Sequence, residues 1–361
     1  MNPIAFFLPN LNGGGAERIS INLLKGMAEK GIPLDLVLAN AEGSYLDQIP
    51  KSVRLINLAE KRVLKAMLPL SAYLREHQPA ALLSHQNHAN VIATIARKVA
   101  GTNTRLILVE HNTLSAAKTT SVADRVVKRL MRWVYPLADV IIGVSQGVSL
   151  DLEHQLGLPL GKVITIYNPI VDSDLFAKAQ APLDHPWFQE DAPPVFLAVG
   201  RLTEQKDFLT LIQAFSQLRK QAIARLLILG EGESRAELEA AICQLGIEKD
   251  VSLPGFVENP YAYMKRAKAF VLSSRWEGLP TVLVEAMACG CSVISTNCPS
   301  GPQEILEAGK YGQLVPIEDS SALSKAMSQV ITDPLNQKVL EQRAMHFSLE
   351  QAVSQYLAVL S

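Results

Sequence analysis

The chain has 361 residues, 48% of them hydrophobic and 19% charged, with a formal net charge of −1. This is an ordinary globular composition, and its length favours two domains over one. The apolar runs are far shorter than a membrane span and the N-terminus does not resemble a secretory leader, so we expect a cytoplasmic protein. The four cysteines do not indicate a disulfide scaffold or a metal site, so we expect no bound metal.

Short β-rich runs alternate with amphipathic helical patterns along the first half of the chain. Strands are predicted at 4–8, 34–38, 81–84, 106–110 and 140–144. Apolar residues recur at helical spacing at 19–28 and again near 64–77 and 87–100. Strand and helix in regular succession predict an α/β domain with a parallel, doubly wound sheet.

Residues 170–194 interrupt this rhythm with four prolines, directly after Pro169, and little periodicity, which indicates a domain boundary. The alternation then restarts, with strands predicted at 195–199, 226–229, 251–253, 269–273 and 292–295. Helices are predicted near 207–220, 234–245, 280–289 and 349–360. Two facing Rossmann-like domains are expected, with a cleft between them that is lined by the carboxyl ends of the strands.

The two halves of the chain differ in charge. Residues 1–170 carry 18 Lys and Arg against 12 Asp and Glu, whereas residues 171–361 carry 16 against 23. The excess of positive charge suggests that the first half meets an anionic partner. Within it, residues 118–133 combine apolar and basic side chains in a pattern that suits either an anionic membrane surface or a helix packed on its own domain with a solvated rim. The basic and aromatic residues of this segment are Lys118, Arg125, Lys128, Arg129, Arg132 and Trp133.

A glycine loop that includes Gly14 and Gly15 follows the first strand and opens a helix. Its backbone N–H groups suit a phosphate, although a tight turn is the competing interpretation. In the second half, Arg201 and Lys206 follow the strand at 195–199. A guanidinium and an ammonium five residues apart suit a diphosphate, and the alternative is a solvated basic loop or a salt bridge to Glu204 or Asp207.

Two further polar residues are predicted at strand ends. His111 directly follows the strand at 106–110, a position that favours ligand contact. Ser145 follows the next strand and is expected to cap a helix.

Two carboxylates, Glu277 and Glu285, flank the start of a helix that is otherwise apolar. Burying Glu285 there costs several kcal/mol unless hydrogen-bond donors reach it. Those donors are either an internal Arg or Lys or a bound, hydroxyl-rich ligand.

Together these motifs resemble the retaining family 4 glycosyltransferases of the GT-B fold, and the match covers both halves in the expected order. The segment 273–290 carries the most specific part of the resemblance. The segments that match are the glycine loop near Gly14, Glu110-His111-Asn112, Gly200-Arg201-x4-Lys206, Gly255-Phe256-Val257 and Glu277-x7-Glu285. The variants Glu-Gly-Leu-Pro and Cys298-Pro-Ser-Gly-Pro-Gln-Glu304-Ile are similar to bacterial enzymes that build lipid-linked oligosaccharides, O-antigen and capsule.

The resemblance implies an N-terminal acceptor-binding domain at 1–170, a donor-binding domain at 171–345 and a helix at 346–361 that crosses back to the first domain. It also implies a role for each matched residue. Arg201 and Lys206 would hold the donor diphosphate together with Gly14 and Gly15, while Glu285 would bind the ribose and Phe256 and Val257 would contact the base. Glu277 would bind the transferred sugar with help from the amides of Gly278, Leu279 and Pro280. His111 would face the reacting carbon.

The resemblance implies transfer of a hexose or N-acetylhexosamine, with retention and without a metal or other cofactor, from a nucleotide sugar, UDP-linked in the first instance. The expected acceptor is a lipid-linked or other glycan in cell-surface polysaccharide synthesis, and the enzyme would then lie peripherally on the inner face of the cytoplasmic membrane. A soluble family member that glycosylates a small molecule or protein is the alternative. Two further alternatives are a non-catalytic sugar-nucleotide-binding protein and a dehydrogenase. The dehydrogenase is disfavoured because the sequence lacks a spaced glycine fingerprint. No nucleic-acid partner is expected.

Overall fold

The computed structural model describes residues 2–12, 14–115 and 122–360, without the side chains of residues 122–124. It divides into two compact units, one formed by Met1–Pro169 with Leu349–Ser361 and the other by Ile170–Ser348. Among the described residues, no helix combines the length and the hydrophobicity needed to span a bilayer.

The first unit is built on a seven-stranded sheet in which every pairing is parallel. Its strands are β1 (Ile4–Leu8), β2 (Leu34–Leu38), β3 (Arg54–Asn57), β4 (Ala81–His85), β5 (Arg105–Glu110), β6 (Val140–Gly143) and β7 (Val163–Thr165), in the spatial order β3-β2-β1-β4-β5-β6-β7. Its helices up to this point are α1 (Gly15–Glu29), α2 (Met67–His77), α3 (Asn87–Ala100), α4 (Val122–Val134) and α5 (Gln146–Leu156). The central strands are buried along their length because helices cover both faces of a parallel sheet.

The second unit repeats this plan around a six-stranded parallel sheet with the order β10-β9-β8-β11-β12-β13. Its strands are β8 (Val195–Val199), β9 (Arg225–Leu229), β10 (Val251–Gly255), β11 (Ala269–Leu272), β12 (Ser292–Thr296) and β13 (Gln313–Val315). Its helices are α6 (Ser173–Ala179), α7 (Phe208–Arg219), α8 (Arg235–Leu245), α9 (Tyr261–Met264), α10 (Thr281–Ala288), α11 (Pro302–Ile305), α12 (Ser320–Thr332) and α13 (Gln337–Ala344). The predicted doubly wound α/β sheets are confirmed in both units.

Three strands, β3, β7 and β13, were absent from the sequence prediction. They are only three or four residues long, and each lies at an edge of its sheet. β3 is mostly exposed, so it has no buried apolar run that would distinguish it from a loop. Edge strands of this kind form because a neighbouring strand pairs with them, and local sequence does not record that partner.

The last helix, α14 (Leu349–Leu360), belongs to the first unit although the second unit precedes it in the chain. It packs against α1, where Gly26 leaves room for it. A Cβ atom on Gly26 would lie 2.8 Å from Val353 Cγ2 and 2.9 Å from Leu349 Cδ1. The small residue therefore allows close approach of the two helices.

Strand order reverses once in each sheet, between β1 and β4 in the first unit and between β8 and β11 in the second. Open α/β sheets bind ligands at such switch points, outside the carboxyl ends of the strands. The loops that leave these four strands contain the glycine loop, the segment after β4, the Arg201–Lys206 motif and the Glu277 loop.

Candidate active site

A lysine and a glutamate meet at the switch point of the second unit. Lys206 ends a short 3-10 turn after β8, and Glu277 lies in the loop after β11. Lys206 Nζ lies 2.6 Å from Glu277 Oε1, and the two side chains are only 17% and 9% exposed. Ser274 donates from its hydroxyl to the same carboxylate oxygen at 2.6 Å. The predicted alternative, in which Lys206 pairs with Glu204 or Asp207, is not what the structure has.

Those two acids instead bind Arg275. Its guanidinium lies within 3.4 Å of both Glu204 and Asp207 and 2.9 Å from Glu318. The backbone adds to this connection, since Arg275 N donates to the carbonyl of Gln205 at 2.8 Å. The segment after β11 thus fixes the turn that carries Lys206.

Helix α10 begins directly beyond Glu277 and carries Glu285 on its buried side, with 3% of that residue exposed. Pro280 is the N-cap of α10 rather than a residue of its first turn. The expectation that the amide of Pro280 helps to bind the sugar is wrong, because proline has no backbone N–H. Gly278 and Leu279 keep theirs, and the loop at 299–301 supports them: Ser300 Oγ donates to the Gly278 carbonyl at 3.0 Å.

Other predicted donor-site residues follow the carboxyl ends of β8 and β10, which are separated in the sheet by β9. Arg201 follows β8 and is exposed. Phe256 and Val257 follow β10, and Phe256 is 80% exposed. An aromatic ring left in solvent after a strand end is available to a planar ligand, but no contact in the structure joins it to Lys206 or Glu277.

The glycine loop of the first unit is tied to the segment after β4. Gly14 is the N-cap of α1 and Gly15 its first residue. Glu17 is buried beneath them, so close that a Cβ atom on Gly14 would lie 2.2 Å from Glu17 Oε2. Gln86 Nε2 donates to Glu17 Oε1 at 2.8 Å, although Gln86 has a left-handed φ of 78°. The approach of the Gly14 and Gly15 amides to a diphosphate held by the second unit stays a prediction.

His111 lies after β5, as predicted, and contacts a second histidine that the sequence did not single out. His85 ends β4, and its Nδ1 lies 3.1 Å from His111 Nε2. Burial lowers the pKa of His111 to about 4, and burial followed by the neighbouring His111 lowers that of His85 well below its ordinary range. Both rings are therefore neutral at pH 7.

Glu110, next to His111, is buried in a polar cluster on the opposite side of the sheet. Tyr135 donates to its Oε1, and Asn90 Nδ2 donates to the same oxygen at 2.8 Å. Burial raises the pKa of Glu110 to about 7, and the two hydrogen bonds oppose this only in part. Ser145, as expected, caps α5 by accepting from the Val148 amide at 3.1 Å.

The basic segment forms α4, while Lys118 lies outside the described residues. The exposed face of α4 carries both charged and apolar side chains. Val126, Leu130 and Trp133 are 52%, 39% and 75% exposed. Arg125 and Arg129 are exposed beside them. Two other cations of this helix are used internally: Lys128 donates to the Leu114 carbonyl at 3.3 Å and Arg132 to that of Gln155 at 3.1 Å.

Two observations concern the dinucleotide and metal alternatives. Asp35 is the acidic residue about twenty positions after the glycine loop, where a dinucleotide-binding domain would have a ribose ligand at a strand end. It lies inside β2 and binds Arg54 and Tyr73, so it has a structural role. In the part of the chain that is described, no three His, Cys, Asp or Glu side chains are grouped to hold a metal. Cys289 and Cys298 are buried thiols, and burial raises the pKa of each to about 12.

Three site residues escaped the sequence analysis: Ser274, Gln86 and His85. Each is the last residue of a strand or follows one closely, which is the only local signal that distinguishes them. Gln86 and His85 contact residues far away in sequence, Glu17 on α1 and His111 after β5, so their roles depend on which strands are neighbours, whereas Ser274 contacts Glu277 within its own loop.

Comparison with known families gives matches to both units. Residues 13–174 match the family described as Glycosyltransferase Family 4, and residues 183–347 match Glycosyl transferases group 1. Two relatives come from Campylobacter jejuni. The first is N-acetylgalactosamine-N,N'-diacetylbacillosaminyl-diphospho-undecaprenol 4-alpha-N-acetylgalactosaminyltransferase, 31% identical over 95% of this chain and 94% of its own. The second is GalNAc-alpha-(1->4)-GalNAc-alpha-(1->3)-diNAcBac-PP-undecaprenol alpha-1,4-N-acetyl-D-galactosaminyltransferase, which is 27% identical over 100% of this chain and 99% of its own.

A solved structure shares the whole fold. HepE from Anabaena, determined in complex with UDP and glucose, is 22% identical, covers 100% of this chain and 99% of its own, and superposes with a TM-score of 0.78. The two doubly wound units are therefore those of the GT-B fold. With the family matches and a full-length relative at 31% identity, the chain is an enzyme that belongs to the family 4 glycosyltransferases.

Proposed function

We propose that this glycosyltransferase moves an N-acetylhexosamine or hexose from a nucleotide sugar, UDP-linked in the first instance, to a lipid-linked glycan acceptor, with retention and without a metal. The second unit binds the donor and the first unit the acceptor. The product belongs to cell-surface polysaccharide or glycoconjugate synthesis.

The contact between Lys206 and Glu277 is the observation that carries this proposal. It brings a cation and a carboxylate together at a sheet switch point, beside the start of α10. A leaving nucleoside diphosphate gains negative charge in the transition state, which Lys206, Arg201 and a helix N-terminus can stabilise. Glu277 accepts hydrogen bonds from sugar hydroxyls, so the pair matches the junction between sugar and diphosphate.

The names of the relatives support the acceptor class. Both Campylobacter enzymes are named as N-acetylgalactosaminyltransferases that act on undecaprenol diphosphate-linked sugars, and both align over nearly the whole chain. Both names also specify an alpha linkage. An α-linked product made from an α-linked nucleotide sugar keeps its configuration, which supports retention.

The exposed face of α4 supports a peripheral position on the inner face of the cytoplasmic membrane. Val126, Leu130 and Trp133 are spaced so that they share one side of the helix, and two arginines flank them. Apolar side chains with basic neighbours suit the interface of an anionic bilayer. An acceptor anchored in that bilayer would then lie within reach of the first unit.

A ligand screen followed by a transfer assay tests the proposal. We expect UDP and UDP-N-acetylhexosamines to raise the melting temperature of the full chain more than GDP or ADP do, because a ligand of the folded state stabilises it. Transfer to a synthetic polyprenyl diphosphate-linked sugar is then followed by mass spectrometry, with EDTA present throughout, and NMR of the product reports the anomeric configuration.

Lys206→Met tests the proposed mechanism, and Lys220→Met is its control. Loss of one stabiliser of the leaving group should lower kcat by roughly 10²-fold, whereas Lys220→Met, at an exposed end of α7, should leave kcat unchanged. Nucleotide binding without transfer or slow hydrolysis of any sugar donor would favour the non-catalytic alternative. Transfer only to small molecules or proteins would remove the lipid-linked acceptor, and activity abolished by EDTA would remove metal independence.

A further inference from the structure

Two imidazole rings are in contact at the carboxyl edge of the first sheet. His85 Nδ1 lies 3.1 Å from His111 Nε2, and the ring centroids are 5.4 Å apart with an angle of 28° between the planes. The His85 ring also stacks on Phe6, at 5.9 Å and 11°. His85 is fully buried, whereas His111 keeps part of its surface in solvent.

The hydrogen bond between the rings admits two arrangements of protons, because both rings are neutral at pH 7. If His111 donates from Nε2, neutral His85 carries its proton on Nε2. That atom is buried and has no hydrogen-bond partner among the described residues, so an N–H group would be left unsatisfied. If His85 donates from Nδ1 instead, its buried Nε2 holds only a lone pair. Buried donors without a partner are rarer than acceptors without one, which favours donation from His85.

Donation from His85 determines the protonation of His111. When Nε2 of His111 accepts a hydrogen bond, the proton of the neutral ring lies on Nδ1. Among the described residues no group bonds to that Nδ1, so its N–H remains available to a ligand. A ring that is neutral at pH 7 donates this hydrogen bond without carrying a positive charge.

We propose that His85 is a positioning residue that holds His111 in its Nδ1–H tautomer and presents that N–H to a hydroxyl oxygen of the transferred sugar. The sugar contact rests on the proposed function, whereas the tautomer rests only on the geometry of the two rings. Phe6 supports the arrangement by fixing the plane of His85. Sequence alone gives no reason to connect the two histidines, since β4 and β5 are separated by the whole of α3.

The tautomer is measured directly by long-range ¹H–¹⁵N correlation NMR on the full chain labelled with ¹⁵N-histidine. The chain has seven histidines, and His111→Gln and His85→Phe assign the two signals. We expect His111 to give the Nδ1–H pattern at pH 7.5. In His85→Phe, which keeps a ring against Phe6 but cannot donate, His111 should move towards the Nε2–H form that a free histidine side chain favours in water.

His85→Asn is the matched variant, because its side-chain nitrogen can reach the position of Nδ1 and donate from there. It should retain the Nδ1–H form of His111, and this comparison distinguishes hydrogen bonding from simple packing. An Nε2–H pattern for His111 in the natural protein overturns the proposal. So does a pattern that stays unchanged in a folded His85→Phe protein.

The kinetic counterpart uses the donor identified by the ligand screen. His85→Phe should lower kcat roughly ten-fold with little change in KM, as expected for one misdirected hydrogen bond, while His85→Asn retains most of the activity. An unchanged kcat in His85→Phe, with the tautomer switched, would refute the sugar contact. If the natural protein transfers no sugar at all, the proposed function fails, and the NMR result still decides the role of His85.

Discussion

Glu277 and Glu285 are both buried carboxylates in the same stretch of chain, yet their surroundings differ. Glu277 accepts from Lys206 and Ser274 at the sheet edge, whereas Glu285 lies within α10. The proposed roles, sugar for Glu277 and ribose for Glu285, predict different kinetic effects. Glu285→Gln should weaken binding of the free nucleotide about ten-fold, the order expected for a lost charge-assisted hydrogen bond. Glu277→Gln should lower kcat by at least that factor.

Isothermal titration with UDP and steady-state kinetics distinguish the two variants. Glu248→Gln serves as the control, since this exposed carboxylate precedes β10 at the opposite edge of the sheet. Equal loss of nucleotide affinity in the Glu277 and Glu285 variants would contradict the division of roles.

Glu110 predicts a pH dependence of stability. Its pKa is raised from 4.5 to about 7 in the folded chain. Between these values the folded protein holds a proton that the unfolded chain has released, so this group lowers stability as the pH rises. Glu110→Gln removes this titration. We therefore expect the difference in free energy of unfolding, variant minus natural protein, to increase from pH 5 to pH 8. The increase should be at most about 1.4 kcal/mol per pH unit.

Urea unfolding at four pH values in this range measures the difference. The lowered pKa values of His85 and His111 act in the opposite sense, raising stability as the pH rises through the region below 6.5, but they are common to both proteins and cancel. A difference that does not change with pH would show that Glu110 titrates normally.

At the scale of elements, two loops in each unit are tied together at a switch point. In the second unit Arg275 makes the connection, through Glu204 and Asp207 on one side and Glu318 on the other. Arg275→Ala should let the turn after β8 move and so displace Lys206. We expect nucleotide affinity to fall several-fold, while the loss of stability stays near 1 kcal/mol because these pairs are partly exposed.

Arg275→Lys keeps the charge but loses the fork of donors, so its affinity should fall between those of Arg275→Ala and the natural protein. Calorimetric titration with the preferred nucleotide checks both variants. Unchanged affinity in Arg275→Ala would mean that Lys206 does not depend on this connection.

Helix α4 gives the second prediction at this scale. Trp133→Ala should lower binding to anionic liposomes about ten-fold or more, because the indole contributes on the order of 2 kcal/mol when it leaves water. Arg125→Glu with Arg129→Glu should do the same at low salt. Leu160→Ala is the control, since this side chain is 85% exposed but lies outside the helix. Co-sedimentation measures the binding, and equal binding by Trp133→Ala would remove α4 from the membrane surface.

For the molecule as a whole, α14 packs on the first unit although it follows the second unit in sequence. Its buried residues Ala352, Val353 and Tyr356 pack towards the unit, with Gly26 of α1 beneath Val353. Gly26→Ala would normally stabilise a helix by up to about 1 kcal/mol. Here we expect it to destabilise by about 1–3 kcal/mol, because the added methyl group overpacks the contact.

Gly15→Ala is the matched variant on the same helix, since a Cβ atom there meets nothing within 4 Å. Chemical denaturation should show a loss of stability for Gly26→Ala and no loss for Gly15→Ala. A stabilised Gly26→Ala protein would contradict the close packing of α14.

Regular elements were predictable where each carries its own signal. β1, β2 and β8 have the predicted limits, because each is a short, buried and mostly apolar run that is followed by a break in its pattern. The edge strands β3, β7 and β13 were missed because their pairing partners, and not their own residues, make them strands. Lys206 and His111 were singled out from their positions after strands, and Glu277 from its position at the start of an apolar helix; the roles of all three stay predictions.

The sequence by itself therefore determined the doubly wound sheets, the repetition of that plan in two units and the residues at the strand ends that resemble a glycosyltransferase. The sheets and their repetition follow from periodicity and spacing, and the resemblance follows from short motifs that match a known family; both kinds of signal are local along the chain. Only the tertiary structure decided that Lys206 bonds to Glu277 rather than to Glu204 or Asp207, that Gln86 holds Glu17 under Gly14, and that His85 meets His111. Such contacts depend on strand order, and strand order is set by packing between segments that lie far apart in sequence.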